Sequence, residues 1–407
     1  MRILFAEEGA GVGGSVISLH YLVRGLIGRG FDPVVTFPAP HDYSERYRAL
    51  GVDIIYTDDN SGARPPARPG GRPGGWAVTR GWTEWPAYRA LSFYRRHWRE
   101  SPARRLRWRD LLERVRPEAV YGNNNLPLNF SLAVAAHEMG LPVFNHLRGF
   151  QPLRGPHRRF APHLRAGIAI SEVIRAEYLR AGFLPGQIHR VYNGVDVADF
   201  PYRDPRAAVP PAGGRLLFLG RLAGWKGAPV LLEAVARLRM KRAGLTLVIA
   251  GDGPARAEWQ SEAARLGVTG ACTFAGHVSD VPGLLHAADL LVHASTEPEP
   301  FGRVLIEGMA AGTPVVASNL GATGEILTDG VTGALAPAGR ADGLAETIER
   351  MLAAGPARVT MARAARQRVE SEFSVERMVD GVARVLESAT SPSAPLPPAG
   401  SPPESTP

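Results

Sequence analysis

Short apolar runs alternate along this chain with longer stretches whose apolar residues return at helical spacing, the rhythm of a doubly wound parallel sheet. In the first half the runs fall at residues 2–6, 33–37, 119–121, 142–146, 168–170 and 188–192, with a helix predicted over 15–28. A second series begins at 215–220 and continues at 246–250, 272–275, 290–293 and 314–317. Between the two series, Pro, Ala and Gly dominate the stretch from Asp204 to Gly214, which has the composition of a linker and puts a boundary near 200–214. The pattern therefore predicts an α/β protein of two Rossmann-like domains, residues 1–200 and 215–373, with ligand in the cleft between them and a final helical stretch at 374–388. Residues 60–75, rich in Gly, Pro and Arg, read as a mobile inserted loop, and 389–407 as a tail with too little apolar surface to order itself.

Composition narrows the class. With 407 residues, 45% hydrophobic and 21% charged, the chain has the balance of a globular protein able to bury two cores. No stretch approaches ~18 uninterrupted apolar residues, and the first apolar run turns acidic at Glu7 and Glu8, so a cytoplasmic protein is expected. Cys272, the one cysteine, lies in an apolar run and reads as a buried structural thiol; a single cysteine excludes an intrachain disulfide and any multi-cysteine metal site. The net charge of +8 rests on arginine, since 47 residues are basic and only Lys226 and Lys241 are lysines. That excess suits anionic partners, nucleotide or membrane surface. It is densest over 89–116, where ten arginines face three acids and alternate with Phe93, Tyr94, Trp98 and Trp108. Such a segment either lies on an anionic membrane, at the inner face of which the protein would be peripheral, or forms a solvated helical face with a few core contacts. No nucleic-acid module accompanies it, and no nucleic-acid partner is expected.

The candidate chemistry gathers around two carboxylates, Glu299 and Glu307, in the stretch Glu297-Pro298-Glu299-Pro300-Phe301-Gly302-Arg303-Val304-Leu305-Ile306-Glu307. Pro300, with φ fixed and no N–H, suits the first turn of a helix whose free amides near Phe301, Gly302 and Arg303 would attract an anion. Glu299 would stand at the mouth of that site and Glu307 about 6 Å beyond the Arg303 amide along the axis, at ~1.5 Å per residue. Arg221 and Lys226 follow the strand at 215–220, at the carboxyl end where open α/β sheets bind ligands, and their charges match a diphosphate. Gly13 and Gly14, in the glycine-rich turn after the first strand, either let backbone amides approach a ligand or simply make the turn. His146 closes the run at 142–146, facing the cleft, and Asn123, Asn124 and Asn125 either contact an acceptor or form a turn.

Taken with Gly308 to Ser318, Asn193-Gly194-Val195-Asp196, Gly251-Asp252-Gly253-Pro254, Ala275-Gly276-His277-Val278 and Asp289 to Ser295, these residues resemble the retaining family 4 glycosyltransferases of GT-B fold (glycosyl transferases group 1) over most of the chain. The resemblance implies that the helix at 374–388 crosses back onto the N-terminal domain. It also implies transfer from a nucleoside diphosphate sugar (UDP-, GDP- or ADP-linked) to a carbohydrate or lipid-linked acceptor. Glu299 and His146 would then face the donor sugar, with Glu307 on the ribose. Arg221, Lys226, Gly13, Gly14 and the amides of Phe301, Gly302 and Arg303 would hold the diphosphate. No Asp-x-Asp occurs in the chain, which agrees with a metal-independent reaction needing no cofactor. Gly321-Ala322-Thr323-Gly324-Glu325 departs from the family pattern, as does the arginine-rich segment. A sugar-nucleotide hydrolase or epimerase, or a non-catalytic nucleotide-sugar binding protein, would keep the same donor cleft.

Overall fold

The computed structural model describes residues 1–9, 13–41, 43–57, 102–150, 153, 155–208 and 212–390. The loop expected at 60–75, the first part of the basic segment and the tail beyond 390 lie outside the described residues. Two parallel sheets carry the fold. The first has seven strands in the order β3-β2-β1-β4-β5-β6-β7, formed by β1 (Arg2–Ala6), β2 (Asp32–Phe37), β3 (Asp53–Tyr56), β4 (Ala119–Gly122), β5 (Val143–Leu147), β6 (Ala166–Ala169) and β7 (Ile188–Arg190). The second has six in the order β10-β9-β8-β11-β12-β13: β8 (Gly213–Leu219), β9 (Gly244–Ala250), β10 (Cys272–Gly276), β11 (Leu290–His293), β12 (Val315–Ser318) and β13 (Ala334–Ala336). Central strands of such sheets are covered on both faces and so read as continuous apolar runs; Ile3, Leu4, Phe5 and Ala6 of β1 are all fully buried. In each sheet the order reverses beside the first strand, between β1 and β4 and between β8 and β11, which opens a crevice at the carboxyl ends. This is the GT-B arrangement.

The C-terminal helix Val375–Thr390 does cross back. Met378, Val379, Val382 and Leu386 join Leu19, Leu22, Val23 and Leu26 of the helix Gly14–Ile27 and Ile3 and Phe5 of β1 in one core cluster of the first domain. Backbone bonds brace the crossing, Val195 N–H to the Phe373 carbonyl at 2.9 Å and Val375 N–H to the Val195 carbonyl at 3.1 Å.

A second seam joins the domains near that crossing. The Phe301 ring, 2% exposed, lies between Tyr192 and Phe373 with ring centroids 6.0 and 6.1 Å away. Ser171 Oγ donates to the Pro300 carbonyl at 2.7 Å. The Glu325 carboxylate accepts the Glu172 and Val173 amides at 2.7 and 2.8 Å, neutralising the N-terminus of the helix Glu172–Arg180 from across the cleft. Thus the segment that departs from the family pattern makes an interdomain cap.

Of the basic segment, the helix Pro102–Val115 is described, and it turns Trp108, Leu111 and Leu112 into the core. Among the described residues no helix is long and apolar enough to cross a membrane. Cys272, expected to be buried, is only half-buried because β10 is an edge strand; burial still pushes its thiol up to about 11.

Gly25 tests the clasp. A Cβ there would lie 2.5 and 2.8 Å from the two methyls of Val379. Alanine normally gains ~0.5–1 kcal/mol over glycine inside a helix, but overpacking costs about 1–3 kcal/mol. Gly25→Ala is therefore expected to lower stability in urea unfolding, and Gly25→Ala combined with Val379→Ala to recover most of the loss.

Candidate active site

Glu299 is the centre of the second domain's crevice. It lies beyond the carboxyl end of β11, is 7% exposed, and puts one oxygen, Oε2, within 2.8 Å of Lys226 Nζ, 3.0 Å of His293 Nε2 and 3.2 Å of Ser295 Oγ. Burial pushes its carboxyl up, but hydrogen bonding and electrostatic attraction from His293 and Lys226 outweigh that and hold it at about 2. The carboxylate is ionised at any physiological pH. His293 and Ser295, not anticipated from the sequence, come with the geometry: His293 ends β11, Ser295 follows two residues on, and both are buried. The signal was present as a polar pair closing an otherwise apolar strand.

Lys226 comes from the turn Gly224–Lys226 after β8, where its ammonium also sits 4.1 Å over the Trp225 ring. It was expected on a diphosphate; in this structure it pairs with Glu299, leaving Arg221, exposed at the start of the same loop, with no side-chain partner among the described residues.

The helix following Glu299 starts later than expected. It spans Arg303–Ala311, capped by Gly302 in the left-handed conformation at φ 100°, which breaks the chain after Phe301. Pro300 and Phe301 therefore precede the helix rather than begin it. The free amides of its first turn belong to Arg303 and Val304, since Leu305 N–H already bonds the Gly302 carbonyl at 2.9 Å. The Phe301 side chain serves the interdomain seam. Glu307 is bound by Arg303, with Nη2 at 3.0 Å and Nε at 3.2 Å.

Arg303 also crosses the cleft, its Nη1 lying 3.1 Å from Ser18 Oγ on the helix Gly14–Ile27. Gly13 caps that helix and Gly14 begins it, and a Cβ on Gly14 would meet Arg303 Cδ at 3.4 Å. The glycine turn and the Arg303–Glu307 pair thus face each other; residues 10–12 of the turn lie outside the described residues.

His146, expected to face the donor sugar, lies one residue before the end of β5. Its ring is fully buried, with Nδ1 2.7 Å from Tyr121 Oη and 3.2 Å from Arg148 Nη2, while Nε2 is buried without a hydrogen-bond partner among the described residues. Alternation along β5 turns it to the inner face beside Tyr121, and burial drives its basicity well below the ordinary histidine value. The polar groups at that end of the sheet form one web. Arg148 donates to the Asn123 carbonyl and Oδ1, both at 2.7 Å, and to Asn193 Oδ1 at 3.0 Å. Buried Glu7 accepts from the side chains of Asn123 and Asn124 and, at 3.0 Å, from the Gly9 amide. Asn125 Oδ1 accepts the Arg148 and Gly149 amides at 2.7 and 3.1 Å. These asparagines build the web and make more than a turn.

Two sheets meeting at a polar cleft, with an anion-ready loop and a buried ionised carboxylate on the second, define a two-lobed transferase of GT-B architecture. Residues 207–368 match the model of the glycosyl transferases group 1, and residues 12–199 that of glycosyltransferase family 4. The chain belongs to this glycosyltransferase family. It is 39% identical over 212 residues to a glycogen synthase of Mycobacterium tuberculosis, covering 51% of this chain and 50% of that protein. To a phosphatidyl-myo-inositol mannosyltransferase of the same species it is 36% identical over 209 residues, 47% of this chain and 54% of the other. The chain thus spans about half the length of the curated relatives it matches. Among solved structures, HepE of Anabaena in complex with UDP and glucose superposes with a TM-score of 0.75 at 21% identity, covering 95% of this chain and all of that one. A glycosyltransferase of Rickettsia africae gives 0.76 at 18% identity, covering 96% of this chain and 99% of that one.

The depressed carboxyl of Glu299 carries a sign that can be measured. Because the folded value, about 2, lies below the ordinary 4.5, its contribution is complete above the ordinary value and is lost as pH falls through 2. It amounts to on the order of 3 kcal/mol. Glu299→Gln should therefore melt well below the parent at pH 7, with the gap narrowing steadily below pH 5; a gap of equal size at pH 7 and pH 3 would contradict the assignment.

Proposed function

We propose that this chain is a metal-independent, retaining glycosyltransferase that moves a sugar from a UDP-, GDP- or ADP-sugar to a carbohydrate or lipid-linked acceptor in polysaccharide or glycoconjugate synthesis. The observation that carries the reading is Glu299, ionised and buried, clasped by Lys226 directly before the N-terminal turn of the helix Arg303–Ala311. A cation, a free helix end and a carboxylate then lie side by side, as a sugar diphosphate requires. The solved complexes of HepE with UDP and with UDP-glucose support such a donor, and the relatives' names a glycosyl acceptor.

In this reading Arg221 and Lys226 take the diphosphate, together with amides of the Gly13-Gly14 turn and of Phe301, Gly302 and Arg303. Glu299 takes a sugar hydroxyl and Glu307 the ribose. Lys226 exchanges part of its bond to Glu299 for a phosphate oxygen, so charge building on the departing diphosphate meets a cation already in place. The bond from the anomeric carbon to the phosphate oxygen breaks while one forms to the acceptor oxygen on the same face. The acceptor proton passes to the departing phosphate, so no protein base is needed. His146, beside Tyr121 and Arg148, faces the donor sugar together with Glu299.

Thermal melts with UDP-, GDP- and ADP-sugars should single out one donor by a clear stabilisation, and NMR of the product should show the donor's anomeric configuration kept. Lys226→Ala should lose about 10²–10³-fold in kcat, whereas a chelator should leave turnover unchanged. Inverted product, or activity that vanishes with EDTA and returns with a divalent ion, would refute the mechanism.

A further inference from the structure

A cavity of about 550 Å³ opens between the helix Pro102–Val115 and the outer strand β3. Its size falls within the ~300–1,000 Å³ of small-molecule clefts, and none of the donor residues discussed above lines it. Arg104, Arg107 and Arg114 project into it from one side of the helix, with Trp108 and Leu111 as its apolar floor. Among the described residues, Glu8 and Asp110 are the acidic members of the lining. Glu8 faces Arg104 at 3.4 Å and Thr57 Oγ1 at 3.4 Å, so Arg104 is partly neutralised.

The other two arginines are different. Arg107 and Arg114 have no ion pair or hydrogen bond among the described residues, and Asp110, between them in sequence, pairs with neither. Seven residues apart, they stand two helical turns, about 10 Å, from each other on one face. Two exposed guanidiniums over a cavity floored by an indole supply what a sugar phosphate needs: forked donors for phosphate oxygens and an apolar surface for the sugar ring. Glu8 and Asp110 can accept hydroxyl groups. The cavity starts at Glu8, just past the carboxyl end of β1, on the half of the molecule opposite the donor loop.

We propose that this cavity is a subsite for a phosphorylated saccharide and that it selects an anionic acceptor. The inference rests on the glycosyl-transfer reading for the word acceptor, but the binding itself is tested without turnover. Calorimetric titration with glucose 6-phosphate, with glucose, and flotation with phosphatidylglycerol vesicles are compared for the parent, Arg107→Ala/Arg114→Ala and Lys226→Ala. The expected result is glucose 6-phosphate binding that weakens at least tenfold in the double arginine variant, persists in Lys226→Ala, and has no counterpart with glucose. Equal binding by parent and double variant would overturn the proposal, as would binding lost only in Lys226→Ala, equal affinity for glucose, or attachment to vesicles alone. Both arginines are exposed on a helix where alanine is well tolerated, so an unchanged melting temperature certifies the variant's fold. If no sugar nucleotide stabilises the parent, the donor reading fails while the titration still decides the subsite.

Discussion

A carboxylate withdrawn from water remains charged only when its surroundings replace the hydration it has lost, and the crevice of the second domain is organised around meeting that condition at Glu299. Three side chains from two pieces of chain converge on one oxygen: Lys226 from the loop after β8, and His293 and Ser295 from the end of β11 and just beyond. Desolvation of an unpaired carboxylate would cost several kcal/mol, so each partner is needed for the others to stay. The loop after β8 and the end of β11 cannot drift apart without exposing a buried ion. The crevice is therefore preorganised before any ligand arrives, which is the condition under which fixed charges lower a barrier.

The parallel sheets make that convergence possible. Strands β8 and β11 are neighbours in space but far apart in sequence, and the order reversal between them leaves their carboxyl ends with no covering crossover. The same reversal between β1 and β4 in the first sheet places Glu7, Asn123 and Arg148 at the facing edge. A buried acid in a polar web thus stands at the facing edge of each domain, Glu7 in the first and Glu299 in the second. The two differ in kind, since Glu7 is held by neutral amides and Glu299 by an ammonium.

Much of this was legible in the sequence because the buried strands are unbroken apolar runs and the loops after them carry unusual polar residues. The edges were not. β3 and β13 went unseen: Asp53–Tyr56 is only partly buried and Ala334–Ala336 is three residues long, so neither shows the pattern of a covered strand. Glu299, Lys226 and Arg221 could be picked out one by one, yet the bond between Glu299 and Lys226 links positions 73 apart, and spacing carries no trace of it. For His146 its place near a strand's end was visible, while its bonds to Tyr121 and Arg148 depend on register and on the fold. Phe301 and Pro300 looked like the start of a helix because proline suits a first turn; the left-handed Gly302 and the interdomain aromatic seam overrode that preference.

The two domains touch through several contacts on one side of the cleft and a single hydrogen bond between the helices on the other, and this bears on how the cleft behaves. Close to the crossing, Phe301 is buried against Tyr192 and Phe373, a side chain worth about 1.5–3 kcal/mol in burial alone. The Glu325 carboxylate on the amides of Glu172 and Val173 reinforces the same side. Between the helices Gly14–Ile27 and Arg303–Ala311, by contrast, Arg303 reaches Ser18 through one hydrogen bond, of the order of 1.5–3 kcal/mol for a charged donor and less where water competes. Arg303 is also the partner of Glu307, so a ligand that engages Glu307 competes for the guanidinium that bridges the domains. Strain across the cleft would therefore reach the single contact before the seam, making the aromatic side the pivot and the Ser18 side the one that yields.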